Sequence, residues 1–147
     1  MKTSLTQEKG STIVQLNLEL AEKMAKAARE KAKQLGISIT VSIVDNAGRL
    51  ILTMRGDGTG FLTPETSRGK AVAAAAFGLP TKQMVELQKN NPAFWNALPA
   101  FADGLLPTTG AVPIKYNGQV IGAVGCGGGT GDQDHECALA GAEIVTA

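Results

Sequence analysis

The spacing of apolar and polar residues changes along the chain, and each change predicts a different type of secondary structure. Residues 17–35 repeat apolar side chains every three or four positions, with Leu20 and Met24 near one side, which predicts an amphipathic helix. Asn17 is a suitable N-cap for this helix, and Gly36 is a suitable left-handed stop. The charged residues between the apolar positions are predicted to form a solvated face and not a binding surface.

Two pairs of β-rich segments predict two hairpins. In each pair, runs of β-branched residues lie on either side of a short turn sequence. The turn Asn117-Gly118 is the strongest two-residue hairpin signal in the chain. The paired segments are 37–45 with 49–55, and 111–116 with 119–126.

The remaining segments predict helices. One helix is expected to begin at Thr63, with Thr63 as its cap and Pro64 in the first turn, and another near Pro80. Residues 131–147 predict a C-terminal helix, whereas 90–107 are expected to be irregular with one helical turn. The order of helices and hairpins predicts an α+β domain, an antiparallel sheet with helices on its faces.

Composition narrows the class of protein. The chain has 147 residues, of which 44% are hydrophobic and 18% charged, as expected of one globular domain. A net charge of +1 and few aromatic residues argue against nucleic acid and anionic membranes as partners. Two cysteines, no secretory signal and no long apolar run favour a protein of the cytoplasm.

The sequence GCGGGTGDQDHECA, residues 125–138, contains the densest set of chemically active residues. It fits neither the dinucleotide nor the P-loop fingerprint, and the acidic residues that follow would repel a phosphate. Two interpretations stay open: the run is a pocket wall whose backbone N–H groups face a ligand, or it is a tight sheet-to-helix connection. Its three successive glycines are Gly127, Gly128 and Gly129.

Three residues of this stretch are candidates for catalysis. His135, the only histidine, is either a haem axial ligand, a general acid–base, or an exposed polar residue in a first helical turn. Cys126 either packs in the core or forms a reactive thiolate beside the backbone N–H groups. Asp134 is a candidate proton carrier.

Arg55, Asp57 and Lys70 form a second group of candidate site residues. Lys70 lies in an otherwise apolar helix, where a lysine either extends to solvent or is paired within a site. Arg55 and Lys70 together have the charge needed to hold a carboxylate, such as a haem propionate or an organic acid. In the alternative interpretation, Arg55 and Asp57 form a structural ion pair across their loop.

Several blocks of the sequence resemble one known family. They are IVDNAGRLILTMRGDG, GKAVAAA with FGLPT after it, GAVPIKYNGQVIGAVGCGGG and DQDHECALAGAE, and they occur in order across most of residues 17–147. Together they resemble the GlcG/HbpS/PduO C-terminal family, also called the haem-degrading or DUF336 domain. The resemblance implies a single domain over 17–147 after an N-terminal extension of residues 1–16. It also implies a profilin-like α/β/α sandwich with a five-stranded antiparallel sheet, assembled as a homo-oligomer.

The resemblance implies a ligand pocket lined by the 55–59 loop, Lys70, Gly110 and the 125–135 segment. The leading expectation is a protein that binds haem or a related tetrapyrrole and degrades it slowly. Arg55 and Lys70 would then hold the propionates, and His135 would ligate the iron. At the glycine run, where the family usually has G-V-S-G-G, this chain has Gly125-Cys126-Gly127-Gly128-Gly129, so the serine is absent and Cys126 is added.

Two other functions stay open. The first is a cofactor-free isomerase or lyase that acts on a small organic acid in a catabolic pathway. Asp134 or His135 would move protons, Arg55 and Lys70 would bind the carboxylate, and N–H groups of the glycine run would stabilise an enolate-like oxyanion. The second is a structural or sensory partner protein with an empty pocket.

Overall fold

The computed structural model describes residues 15–145, and residues 1–14 of the expected N-terminal extension lie outside that range. Five helices and four strands form within the described residues. They are α1 Leu18–Gln34, β1 Thr40–Asp45, β2 Leu50–Met54, α2 Thr63–Phe77, α3 Thr81–Asn90, α4 Pro92–Phe101, β3 Ala111–Tyr116, β4 Gln119–Gly127 and α5 Gly131–Ala142.

The four strands form one antiparallel sheet in the order β2-β1-β4-β3. The two predicted hairpins are β1–β2 and β3–β4, and their inner strands pair with each other. At the second turn Asn117 and Gly118 have φ angles of 50° and 76°, as the hairpin signal predicted. The count of five strands is wrong for the described residues, because each hairpin supplies two strands and the segments between them are helical.

Helices cover both faces of the sheet. Leu20 and Met24 of α1 belong to a core cluster with Val124 of β4, and this cluster also contains buried residues of α5. On the opposite face, small residues of α2 pack against Ala123. Gly125 permits this close approach, because a Cβ there would collide with the Ser67 carbonyl oxygen. The predicted α+β class is therefore confirmed, with α1 and α5 on one face and α2 on the other.

The helix ends follow the sequence signals at α1 but not at α2. Asn17 caps α1 by accepting a hydrogen bond from the Leu20 N–H at 2.8 Å, and Gly36 has a φ angle of 73°. The prediction of Thr63 as a cap is wrong, because α2 already begins at that residue and Leu62 precedes it. The Thr63 hydroxyl instead lies 2.7 Å from the Thr40 hydroxyl.

Residues 92–101 form a ten-residue helix, where the sequence predicted an irregular segment with one turn. Pro92 lies at the start of α4, where its missing N–H costs nothing, although Pro99 lies inside the helix. Aromatic packing contributes to its position, because the Trp95 ring contacts Phe94 and also Phe77 of α2. Within residues 15–145, no helix is long and apolar enough to cross a membrane.

Candidate functional site

Lys70 lies at the centre of the candidate site and connects three elements. Its Nζ donates a hydrogen bond to the Cys126 carbonyl oxygen on β4 at 3.0 Å. It also pairs with Asp134 Oδ2 on α5 at 3.3 Å. Both residues are buried, with relative exposures of 9% for Lys70 and 2% for Asp134. Of the two interpretations for this lysine, the structure has it paired within the protein.

Asp134 uses both carboxylate oxygens inside the site. Oδ1 accepts a hydrogen bond from the Gly129 N–H at 2.9 Å, while Oδ2 contacts Lys70. Burial raises the pKa of Asp134 above its ordinary value of 3.8, and the Gly129 N–H and the Lys70 ammonium oppose this rise. The carboxylate is thus a buried group whose charge depends on two specific partners.

Gly110 provides the space into which the Lys70 side chain extends. Its φ angle is 140°, a conformation that residues with a side chain rarely adopt. A Cβ on Gly110 would lie 2.9 Å from Lys70 Nζ and 3.0 Å from the Cys126 carbonyl oxygen. The structure therefore brings Gly110, Lys70, Cys126, Gly129 and Asp134 together.

The glycine run connects β4 to α5, and its N–H groups face the protein at two positions. The Gly129 N–H binds Asp134, and the Thr130 N–H donates to Gln133 Oε1 at 2.9 Å. Gly127 ends β4 and is buried, whereas Gly128 is exposed with a φ angle of 121°. These contacts favour the sheet-to-helix connection, with the Gly129 N–H directed to a carboxylate of the chain itself.

Both cysteines are buried, and their surroundings disfavour the thiolate. Burial is the main cause that raises the pKa of Cys126 well above its ordinary value, and Cys137 and Asp134 add to it. The pKa of Cys137 is raised to about 11, also chiefly because the thiol is buried. These environments favour core packing for Cys126.

His135 is half-buried on α5, next to Asp134 in sequence. Its Nδ1 atom is buried and has no hydrogen-bond partner among residues 15–145. Burial lowers the pKa of His135 below its ordinary value of 6.5, and the Lys82 ammonium lowers it further. Lys82 itself pairs with Asp132, with Nζ and Oδ1 3.2 Å apart. Burial therefore favours the neutral form of the imidazole.

Arg55 and Asp57 lie in the exposed loop that follows β2. Arg55 Nη2 donates a hydrogen bond to the Thr59 carbonyl oxygen at 3.3 Å. The Asp57 carbonyl oxygen accepts a hydrogen bond from the Ser38 hydroxyl at 2.8 Å. Within the described residues no ion pair joins Arg55 to Asp57. Arg55 thus keeps an exposed guanidinium, in contrast to the buried ammonium of Lys70.

A cluster of three hydroxyl groups holds this loop, and the sequence reasoning missed it. Thr40 Oγ1 lies 3.0 Å from Thr59 Oγ1 and 2.7 Å from Thr63 Oγ1, and it accepts a hydrogen bond from the Gly56 N–H at 3.3 Å. The available signal was Thr40 and Ser42 at alternate positions of an otherwise apolar strand. Such a pattern directs polar side chains to one face of the sheet.

The fold and the site define a class: an α+β domain in which a buried lysine–carboxylate pair closes a glycine-rich strand-to-helix connection. A family model described as "Haem degrading protein HbpS-like" matches residues 16–143. The chain belongs to this HbpS-like family.

Individual relatives agree with this assignment. Protein GlcG of Escherichia coli strain K12 is 31% identical over 114 residues, which is 78% of this chain and 82% of GlcG. The crystal structure of HbpS has a TM-score of 0.84 and 29% identity, over 98% of this chain and all of that one. The PduOC:haem complex has a TM-score of 0.81 and 25% identity, over 90% of this chain and 96% of that one.

Proposed function

We propose that this protein binds haem or a related tetrapyrrole and degrades the bound haem slowly. The observation that carries the proposal is the similarity to PduOC, a relative solved as a haem complex, over 90% of this chain. The family description also refers to haem degradation. Homo-oligomeric assembly and a place in the cytoplasm are parts of the same proposal.

His135 meets one requirement of an axial ligand and lacks another. A neutral imidazole can donate an electron pair to iron, and burial favours the neutral form of this ring. A metal-ligating histidine normally donates its other ring N–H to an acceptor. Nδ1 has no acceptor among the described residues, so ligation through Nε2 requires the ring to turn or a water to enter. The fit is therefore incomplete in this conformation.

The two residues expected to hold propionates differ in their availability. Arg55 is exposed, and its guanidinium makes one hydrogen bond within residues 15–145, to the Thr59 carbonyl oxygen at 3.3 Å. Lys70 is buried and already donates to the Cys126 carbonyl oxygen and to Asp134, so a propionate would have to enter a closed site to reach its remaining N–H. The proposal therefore relies on Arg55 for a propionate, while bound haem would supply the redox-active iron.

The test is a haemin titration followed by absorbance, with wild-type protein, His135→Ala and the control variant Gln83→Ala. We expect saturable one-to-one binding at micromolar haemin. Loss of the imidazole should change the Soret band and weaken binding by about tenfold or more, whereas Gln83→Ala should match the wild type. Incubation of the complex with ascorbate in air then measures loss of the Soret band, which reports degradation.

Each outcome has a defined meaning. If His135→Ala binds haemin as the wild type does, haem binding would stand and His135 would be excluded as the iron ligand. A wild type without saturable haemin binding would contradict the proposal.

The second candidate function is a cofactor-free isomerase or lyase for a small organic acid. One observation favours it: Asp134, with a raised pKa, lies beside a lysine ammonium and a backbone N–H in a buried polar site. This function would be supported instead if the wild-type protein does not bind haemin and if small carboxylates raise its thermal stability.

A further inference from the structure

We propose that the protein has a second binding site, a cleft that takes a small organic anion carrying a carboxylate or phosphate group. The cleft lies between the C-terminal half of α1 and the segments 37–39 and 56–57. It includes none of the three residues given a haem role above, Arg55, Lys70 and His135, and so does not rest on the proposed function, although it shares segment 56–57 with the loop expected to line the haem pocket.

The cleft has the size and the lining of a small-molecule site. Its volume is about 460 Å³, within the range of ligand pockets. Ile37, which is partly exposed, and Ile39, which is buried in the core, line one side. Three basic residues of α1 provide the opposite wall, namely Lys26, Arg29 and Lys33.

The positive charge of this wall is only partly offset within the described protein. Lys26, Arg29 and Lys33 are spaced three and four residues apart, so they share one side of α1 and repel one another. None of them makes an ion pair with another residue of the range 15–145. Glu30 and Asp57 also line the cleft, so three positive and two negative charges leave a net charge of +1. An anion between the basic side chains would offset their repulsion.

The wall opposite α1 is held in place before any ligand arrives. Gly56 is buried, and a Cβ there would collide with the Ile39 carbonyl oxygen. Its N–H donates to Thr40 Oγ1, and the Asp57 carbonyl oxygen accepts the Ser38 hydroxyl. A preformed wall lowers the entropy lost on binding, which favours a small ligand.

Two simpler explanations account for only part of this arrangement. A cation near a helix C-terminus stabilises the helix dipole, but that effect is confined to the last turn. It explains Lys33, which is in the last turn of α1, and not Lys26 or Arg29. The lining contains no histidine, cysteine, methionine or tyrosine, so it offers none of the usual axial ligands of haem iron. The sequence interpretation of a solvated face accounts for the exposed charges, but not for their position along a cleft that segments 37–39 and 56–57 complete.

The experiment follows backbone NMR shifts while inorganic phosphate, or separately succinate, is added at constant ionic strength maintained with chloride. We expect saturable shifts at residues 26–39 and 56–57 at millimolar anion. Arg29→Gln should weaken the binding by about tenfold, since a charge-assisted hydrogen bond is lost. Lys23→Gln removes the same charge from the same helix, but Lys23 does not line the cleft, and it should bind like the wild type.

The two anions separate the possible sources of the ligand. Tighter binding of phosphate would identify a phosphorylated ligand, and tighter binding of succinate a carboxylic acid. Equal weakening by Arg29→Gln and Lys23→Gln would overturn the proposal, because only overall charge would then matter. Shifts that never saturate would overturn it too. Arg29→Gln should bind haemin as the wild type does. Failure of the anion site can therefore be told apart from failure of the haem proposal.

Discussion

Asp134 and His135 are neighbours on α5, yet burial shifts their pKa values in opposite directions. Burial disfavours the charged form of each, which raises the pKa of the carboxyl and lowers that of the imidazole. Both groups are therefore easier to keep neutral in the folded protein than in the unfolded chain. The sequence marked both residues as candidates for chemistry, but it could not give the sign of either shift.

Stability at mildly acidic pH should depend on His135, the single histidine of the chain. Its pKa is lowered on folding, so the unfolded chain takes up the proton first as pH falls through about 6.5. Its stabilising contribution is present above that pH and is lost as pH falls through the folded pKa. We expect His135→Gln to flatten the fall in stability between about pH 7 and pH 5, measured by urea unfolding.

Asp134 provides a control, because its contribution to stability depends on pH with the opposite sign. Its pKa is raised on folding, so its contribution is greatest at low pH and is lost as pH rises through the folded pKa. The Asp134→Asn variant should therefore keep the histidine-dependent fall. If His135→Gln and the wild type lose stability in parallel on acidification, burial does not hold this imidazole neutral.

At the scale of elements, α5 is fixed at its start by a capping box. The Thr130 hydroxyl accepts a hydrogen bond from the Gln133 N–H at 3.2 Å, and the Gln133 side chain accepts the Thr130 N–H. This cap also fixes the first turn, in which Asp134 meets Lys70. The sequence contains the capping-box pattern T-x-x-Q, although the helix was predicted here from the acidic residues of its first turn alone.

Loss of this cap should cost stability without a change in the core. Thr130→Ala removes one acceptor for a helix N–H, and we expect the free energy of unfolding to fall by about 1 kcal/mol. Urea unfolding measures this change. Thr108→Ala, at an exposed threonine in a loop, should change it by less than about 0.5 kcal/mol. Equal effects of the two substitutions would show that the cap contributes nothing specific.

At the scale of the whole molecule, the Lys70–Asp134 pair connects the two helical layers. Lys70 belongs to α2 on one face of the sheet and Asp134 to α5 on the other, and they meet where β4 ends. The contact spans 64 positions of the sequence. Its members are buried, so removal of one leaves the other without its charged partner.

A double-mutant cycle should show strong coupling between these two residues. We expect Lys70→Met alone to reduce the free energy of unfolding by about 3 kcal/mol, because Asp134 remains buried. Together with Asp134→Asn, the loss should be smaller than the sum by at least about 1 kcal/mol. The control cycle uses the exposed pair Lys82–Asp132, for which we expect coupling below about 1 kcal/mol. Additive losses at Lys70 and Asp134 would contradict a specific pair.

The secondary structure was predictable where one local signal dominates. The Asn117-Gly118 turn needs two residues with positive φ, and the sequence predicted that hairpin with the observed strand bounds at β3. The helix α4 was missed because Pro92, Pro99 and uncharged residues give no amphipathic pattern, and its position depends on Trp95 packing on Phe77. Thr63 was misassigned because its hydroxyl bonds a distant strand residue, Thr40.

The sequence by itself determined the α+β class, the two hairpins, the caps of α1 and the family. It also identified the residues that are candidates for catalysis or binding. These follow from local periodicity, turn chemistry and recognisable blocks of residues. Tertiary structure alone decided that Lys70 pairs with Asp134, that the Gly129 N–H faces a carboxylate, and that basic residues of α1 line a cleft. Each of these depends on segments far apart in the chain, whose distance and burial no local pattern specifies.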